Sequence, residues 1–273
     1  IQSRLKTMLE YKNLELGGCY HQAPMSYPAL LSWCEKKAEQ FAPYITDTGN
    51  YIAAALSNHQ KVVLEAQLGA MRDIDYGIFP YTSSSSTISA YGPIGAGIPG
   101  TLPDHIVGVL KAYSTCVGAG PFTAEKAMPE KWMESLRKSG GEYGAATGRP
   151  RRVGPFDAVA SAYGLKCQNA DKIALTKLDV LSHMDEIPVI TSYKLNDEII
   201  TEFDPLDDLD SMTPVIQMLP GWNTDISKCR KYEELPENAR KYIETLEHLL
   251  NHEIQFISVG AERNQYLTKG EWL

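Results

Sequence analysis

Residues 173–179 read IALTKLD, so that Ile173, Ala174 and Leu175 run directly into Thr176, Lys177, Leu178 and Asp179. A short apolar run closed by polar residues is the pattern of a strand buried on both faces. Such strands belong to parallel sheets covered by helices. Ligands of those sheets sit in loops beyond the carboxyl ends of the strands, where the TKLD quartet falls. The Asp179 carboxylate can accept two hydrogen bonds, as from the N1–H and exocyclic amine of guanine. The Lys177 stem can lie along a base face with its ammonium in water. A solvated Lys and Asp at a strand end fit the same four residues.

The flanking sequence alternates helix and strand signals. Ile106 to Ala112 is apolar and precedes a glycine-rich turn, Val117 to Gly120. Trp132 to Lys138 reads as helix and stops at Gly140 and Gly141. Pro188 to Tyr193 and Glu198 to Thr201 form a predicted antiparallel pair turning at Asn196-Asp197. Ala239, Ile243, Leu246 and Leu250 mark a late helix with Pro236 near its start, and Ile254 to Ile257 a final strand. Val62 to Leu64 reads as a short buried strand ending at Glu65. Before it the chain is helical: Leu30, Leu31, Cys34, Ala38 and Phe41 form one stripe with Pro28 in the first turn. Tyr51, Ile52, Ala55 and Leu56 form another, capped by Asp47 or Thr48. The predicted fold is α/β, with a large, mostly parallel central sheet flanked by helices and a small antiparallel element. Residues 1–60 form a helical segment. Residues 61–273 form one continuous α/β region.

Composition narrows the function. The chain has 273 residues, 43% hydrophobic and 22% charged, enough to bury a core. Its net charge of −8 argues against a nucleic-acid partner. No apolar run nears the roughly 18 residues of a membrane span. The five cysteines are odd in number and make no CxxC pair, which points to a reducing, cytoplasmic setting. The six histidines show no metal-ligand spacing. The chain opens on Ile1, so an earlier start is expected.

Two further segments are candidates for anion binding, and a third for contact with a base carbonyl. Gly144 to Arg152, GAATGRPRR, sets Arg149, Arg151 and Arg152 in a glycine-containing loop of an acidic chain. Arginines clamp carboxylates and phosphates bidentately; a plain basic surface patch reads the same way. Glu65 to Ser86 combines glycines with four consecutive serines, suited to a phosphate or to a polar loop. Ser258-Val259-Gly260 offers backbone N–H groups. No GxxxxGK[ST] phosphate loop is present.

In order and spacing these segments resemble adenylosuccinate synthetases. The matching blocks are DIDYGIFPYTSSSS, KAYSTCVGAGPF, GGEYGAATGRPRRVGPFDAVA, LTKLDVL, LPGW, LPENARKYIETLEHL and ISVGAER, spanning about Val63 to Arg263. The resemblance implies the carboxy-terminal two-thirds of a homodimeric, Mg²⁺-dependent ligase. Such enzymes use GTP to activate the 6-oxygen of IMP and join it to L-aspartate. By resemblance, Arg149 contacts IMP, as do Ser83 and the Gln67-Leu68 pair. Ala145, Ala146, Thr147, Gly148, Arg149, Pro150 and Arg151 form the loop that closes on aspartate. Arg151 also touches GTP, and Lys177, Leu178, Asp179, Ser258, Val259 and Gly260 read its guanine. The family's catalytic pair, phosphate loop and metal ligands match nothing here, so no catalytic or metal-binding residue is assigned and the chain alone is expected to be inactive.

Two positions depart from the family pattern. Its usual EGAQG is Glu65-Ala66-Gln67-Leu68-Gly69 here, so Leu68 stands where a glutamine contacts IMP. One step along a strand reverses side-chain direction, so Gln67 is no simple substitute. Ala146 replaces a common threonine. Two alternatives follow: an enzyme accepting a guanine nucleotide to make 2-aminoadenylosuccinate, or a non-catalytic nucleotide-binding paralogue or fragment.

Overall fold

The computed structural model describes residues 2–270. The chain divides into two compact units, 1–62 and 63–273; Ile1 and residues 271–273 lie outside the described residues. The first unit holds three helices, α1 (Gln2–Gly18), α2 (Tyr27–Phe41) and α3 (Thr48–Ser57). Ser26 caps α2 by accepting from the Ala29 N–H, with Pro28 in the first turn. Asp47 caps α3, accepting from the Asn50 N–H at 3.0 Å. The Asn13 amide exchanges two hydrogen bonds with the Met25 backbone, which ties α1 to the start of α2.

In the second unit the order is α4 (Tyr91–Gly95), β1 (Val107–Lys111), β2 (Ser114–Cys116), α5 (Glu130–Gly140), β3 (Arg152–Gly154), β4 (Phe156–Asp157), α6 (Ala158–Gln168), β5 (Lys172–Thr176), β6 (Glu186–Leu195), β7 (Glu198–Ile200), β8 (Thr213–Pro220), α7 (Glu237–Leu250), β9 (Phe256–Ser258) and β10 (Tyr266–Thr268). The main sheet runs β1-β5-β9-β10, with the first three strands parallel and β10 antiparallel. Leu165 of α6 and Ala239, Tyr242, Ile243 and Leu246 of α7 share one core with Ile173, Leu175 and Ile257. Gly108 permits the close approach of α6, since a Cβ there would lie 2.5 Å from Leu165 Cδ2. A second sheet surrounds β6, which pairs with β4 in parallel and with β7 and β8 antiparallel. The β6–β7 hairpin turns at Asn196 and Asp197, with φ of 49° and 68°, as a two-residue primed turn requires. β2 and β3 form a small antiparallel ribbon.

The α/β class with a mostly parallel sheet flanked by helices is therefore the observed one. One predicted element is not formed. Val62 to Leu64 is not a strand, and Val63 is 89% exposed. Apolar residues make a strand only when another strand offers backbone partners, and none among the described residues pairs with this triplet. The predicted final strand slides to Phe256–Ser258.

Candidate functional site

Because β1, β5 and β9 run in the same direction, the chain leaves all three at one edge of the sheet. Thr176 fastens two of these exits: its Oγ1 donates to the Leu110 carbonyl at 3.0 Å, and its carbonyl accepts from the Ala112 N–H at 2.8 Å. Lys177 follows in the left-handed region, φ 62°, and a 3-10 turn covers Leu178–Leu181. Leu178, Val180 and Leu181 are buried, which turns Asp179 the other way. Asp179 lines a cavity of about 510 Å³ with Ser139, Ser182, His183, Asn223 and Asp225. Burial raises its pKa, and the Asp225 carboxylate adds to the effect, while Lys177 opposes it. Among the described residues no side chain donates to the Asp179 carboxylate.

The end of β9 lies beside this turn, because Leu175 pairs with Ile257 in the parallel register. Val259 is buried and its N–H donates to the Gln265 carbonyl at 2.9 Å. Ser258 Oγ donates to the Gly260 carbonyl at 3.0 Å. Gln265 closes over Gly260 so tightly that a Cβ there would lie 2.3 Å from its Oε1. Lys177 to Asp179 and Ser258 to Gly260 thus flank one region.

The arginine segment is a hairpin. Arg151 N–H donates to the Glu142 carbonyl at 2.9 Å, Tyr143 bridges Pro150, and Gly144 N–H donates to the Arg149 carbonyl at 2.8 Å. Gly148, φ 64°, closes the tip by donating to the Gly144 carbonyl at 2.8 Å. Residues 145–150 are exposed. The three arginines differ in their partners. Arg149 has no carboxylate partner among the described residues. Arg152 pairs with Glu125 and donates to the Gly120 carbonyl at 2.7 Å. Arg151 Nη1 donates to Glu142 Oε2 at 2.7 Å.

Glu142 lies between glycine-ended α5 and this hairpin, with its side chain fully buried. Its Oε1 accepts from Lys111 Nζ at 2.8 Å and from the Tyr113 hydroxyl at 2.7 Å. Lys177 Nζ stands 3.4 Å from the same oxygen and donates to the Gly140 carbonyl at 2.6 Å. Burial opposes ionisation here, but the hydrogen bonds from Lys111, Tyr113 and Arg151 outweigh it and hold the carboxyl down at about 2. Reading residues by motif missed Glu142. The signal available was a lone carboxylate opening an otherwise basic loop.

Gln67, Leu68 and Ser83 occupy a different loop. Asp73 organises it: fully buried, its carboxylate accepts from the N–H groups of Asp75, Tyr76 and Thr87 and from Ser86 Oγ. Ser83 Oγ donates to the Ser85 carbonyl at 2.9 Å. Gln67 is exposed, and Leu68 is 60% exposed at φ 76°, a glycine-like conformation. No hydrogen bond or ion pair joins these three residues to the arginine hairpin. The structure therefore brings together Arg151, Lys177 and Asp179 with the 258–260 loop, while the serine loop meets the arginine segment through the 116–120 turn, to which both Arg72 and Arg152 donate. Among the described residues no group of three or more His, Cys, Asp or Glu side chains could hold a metal ion, and no helix is long and apolar enough to cross a membrane.

The sequence pattern of a family described as adenylosuccinate synthetase matches residues 1–267. The adenylosuccinate synthetase of Carboxydothermus hydrogenoformans is 40% identical over 263 residues, covering 96% of this chain and 61% of that protein. That of Caldanaerobacter subterraneus is 37% identical, covering 97% and 61%. The structure of fully ligated adenylosuccinate synthetase from Plasmodium falciparum superposes with a TM-score of 0.87 at 33% identity, covering 98% of this chain and 64% of that one. The chain thus spans about three-fifths of the length of the relatives it matches.

Proposed function

Since the chain belongs to the adenylosuccinate synthetase family, we propose that it is the nucleotide- and substrate-reading part of a GTP-dependent, homodimeric ligase joining IMP to L-aspartate in purine synthesis. The observation that carries this is Asp179: a part-buried carboxylate with no side-chain donor, facing a cavity beside the end of β9. A carboxylate so placed selects a ligand edge carrying two adjacent donors. Guanine presents that edge and adenine does not. Lys177 lies along the base, and the 258–260 loop meets its other side.

Arg149, without a carboxylate partner among the described residues, and the rest of the 145–151 hairpin take the acidic substrates. Arg149 and Ser83 hold IMP, and Arg151 faces aspartate and the nucleotide. In the reaction, a phosphoryl group passes from GTP to the purine 6-oxygen, leaving GDP. The aspartate amine then displaces phosphate. Arg149 and Arg151 neutralise the charge that builds up. Mg²⁺ would supply further charge neutralisation at the phosphates, but the described residues offer it no ligand set, and no step is drawn through it. With no phosphate loop in its sequence, the chain alone forms no adenylosuccinate.

The test is a titration of the chain with guanine and adenine nucleotides. Saturable binding of GDP or GTP and none of ADP is expected; equal binding of both, or of neither, sinks the guanine assignment. Leu68 favours a second arm. An apolar side chain stands where relatives use an amide to read the purine, so the full-length protein should be assayed with a guanine nucleotide as acceptor beside IMP.

A further inference from the structure

We infer that Glu142 is a positioning residue through which the aspartate hairpin and the guanine-reading element share one electrostatic anchor. This rests on the functional reading above and adds a residue and a linkage to it.

The argument begins with a charge count. One fully buried carboxylate meets three cations: Lys111, Arg151 and Lys177. Lys111 comes from the end of β1, Lys177 from just beyond the end of β5, and Arg151 from the base of the hairpin. Remove the single negative charge and three positive groups are left facing one another in a confined space. Each would turn away from the others. Two of the three are the residues that face ligands.

The division of labour between the two oxygens is equally informative. Oε2 serves Arg151 alone, at 2.7 Å. Oε1 takes Lys111 and Tyr113, and has Lys177 at 3.4 Å. The carboxylate plane therefore fixes the direction of Arg151 relative to Lys177. Backbone contacts hold Glu142 itself: its N–H donates to the Arg137 carbonyl at the end of α5, and its carbonyl accepts from Arg151 N–H, both at 2.9 Å. Arg137 Nε also donates to the Arg151 carbonyl at 2.9 Å. A rigid frame carries the carboxylate, and the carboxylate aims the two cations.

A residue that only stabilised the fold would change the amount of folded enzyme and leave the affinities of the survivors alone. A positioning residue changes affinities for the ligands its cations face. The experiment compares wild type with Glu142→Gln in the full-length protein, measuring KM for GTP, aspartate and IMP, with kcat and the melting temperature. The amide keeps the shape and removes the charge. KM for GTP and for aspartate should each rise about tenfold while KM for IMP stays within about twofold. GDP affinity of the isolated chain, by titration, should fall in the same proportion as KM for GTP. A loss confined to kcat or to folded yield, or a rise for only one of the two ligands, overturns the proposal. If Glu142→Gln does not fold, Glu142→Asp is used: it keeps the charge but draws it back by one methylene, and the same paired rise is expected. Wild-type protein that binds no guanine nucleotide at all removes the functional reading itself, an outcome distinct from an unpaired response in the variant.

Discussion

Glu142 and Arg151 are joined twice, by a backbone hydrogen bond of 2.9 Å and a side-chain ion pair of 2.7 Å. The hairpin between them hangs from this clasp, while the Arg149 side chain within it has no carboxylate partner among the described residues. Removing one partner of a buried charge costs about 1–3 kcal/mol. Arg151→Leu should therefore lower the stability of the chain by that amount in urea denaturation. Arg149→Leu should change it by less than about 0.5 kcal/mol. Equal losses for both would mean that the clasp adds nothing.

Asp179 has the opposite character, since no side chain among the described residues donates to its carboxylate. Asp179→Asn replaces two acceptors with one acceptor and one donor, so a guanine edge meets a mismatched group. GDP affinity should fall by about 2–3 kcal/mol. Stability should hold or improve slightly, because the substitution removes a half-buried carboxylate whose charged form burial disfavours. Calorimetric titration measures the first and thermal melting the second. Unchanged GDP binding would reduce the TKLD quartet to a solvated strand end.

A third expectation concerns acidity. Asp157 caps α6 through the Ala160 N–H at 3.0 Å and accepts the Tyr193 hydroxyl at 2.7 Å. Burial nonetheless outweighs these bonds and pushes its carboxyl up from 3.8 to about 6. The folded chain thus holds the proton more tightly than the unfolded one, and this group's contribution to stability falls as pH rises from about 4 to about 6. The loss is on the order of 2–3 kcal/mol at one pKa unit per 1.36 kcal/mol. Asp157→Asn stays neutral throughout, so its stability should fall less over that window. Glu142, held at about 2, works in the other direction and below that window: it stabilises above its unfolded value and loses this as pH falls from 4.5. Denaturation curves at pH 4.5 and 7 for both proteins decide the matter; parallel pH profiles would remove Asp157 as the source.

Leu68 adopts φ 76° with its side chain largely in solvent. A left-handed conformation costs an ordinary residue about 1–2 kcal/mol, and an exposed leucine recovers little by burial. Leu68→Gly should stabilise the chain by about 0.5–1 kcal/mol after the added freedom of glycine in the unfolded state. A loss of stability would show that the leucine side chain is held in place.

Legibility from sequence followed the reach of each signal. β5, α5 and α7 are readable because an apolar run or stripe, with a glycine or proline boundary, is local information. The asparagine turn between β6 and β7 is local too. β8 is hidden because Pro214 and Pro220 sit inside its ends, which demotes a run that serves here as a partner of β6. α6 is hidden by its small residues, AVASAYGLKCQ, which make no clear apolar stripe. Val62 to Leu64 failed in the reverse way, since the residues suit a strand but pairing is decided elsewhere in the chain. The same distinction holds for the site. Asp179 and Lys177 stand out at a strand end, whereas Glu142 becomes visible only when Lys111, Arg151 and Lys177 are seen to converge on it.

The pairing of β5 with β9 also fixes when a base-reading pocket can exist during folding. Asp179 and the 258–260 loop are separated by roughly eighty residues, and closing a loop of that length costs chain entropy that only long-range packing returns. The intervening chain includes the β6 sheet and α7, whose apolar face shares the core with β5 and β9. A chain still emerging from the ribosome, complete as far as Asp179 but not to Gly260, holds one side of the pocket and cannot discriminate between bases. Nucleotide selectivity should therefore appear abruptly, once synthesis has passed Gly260.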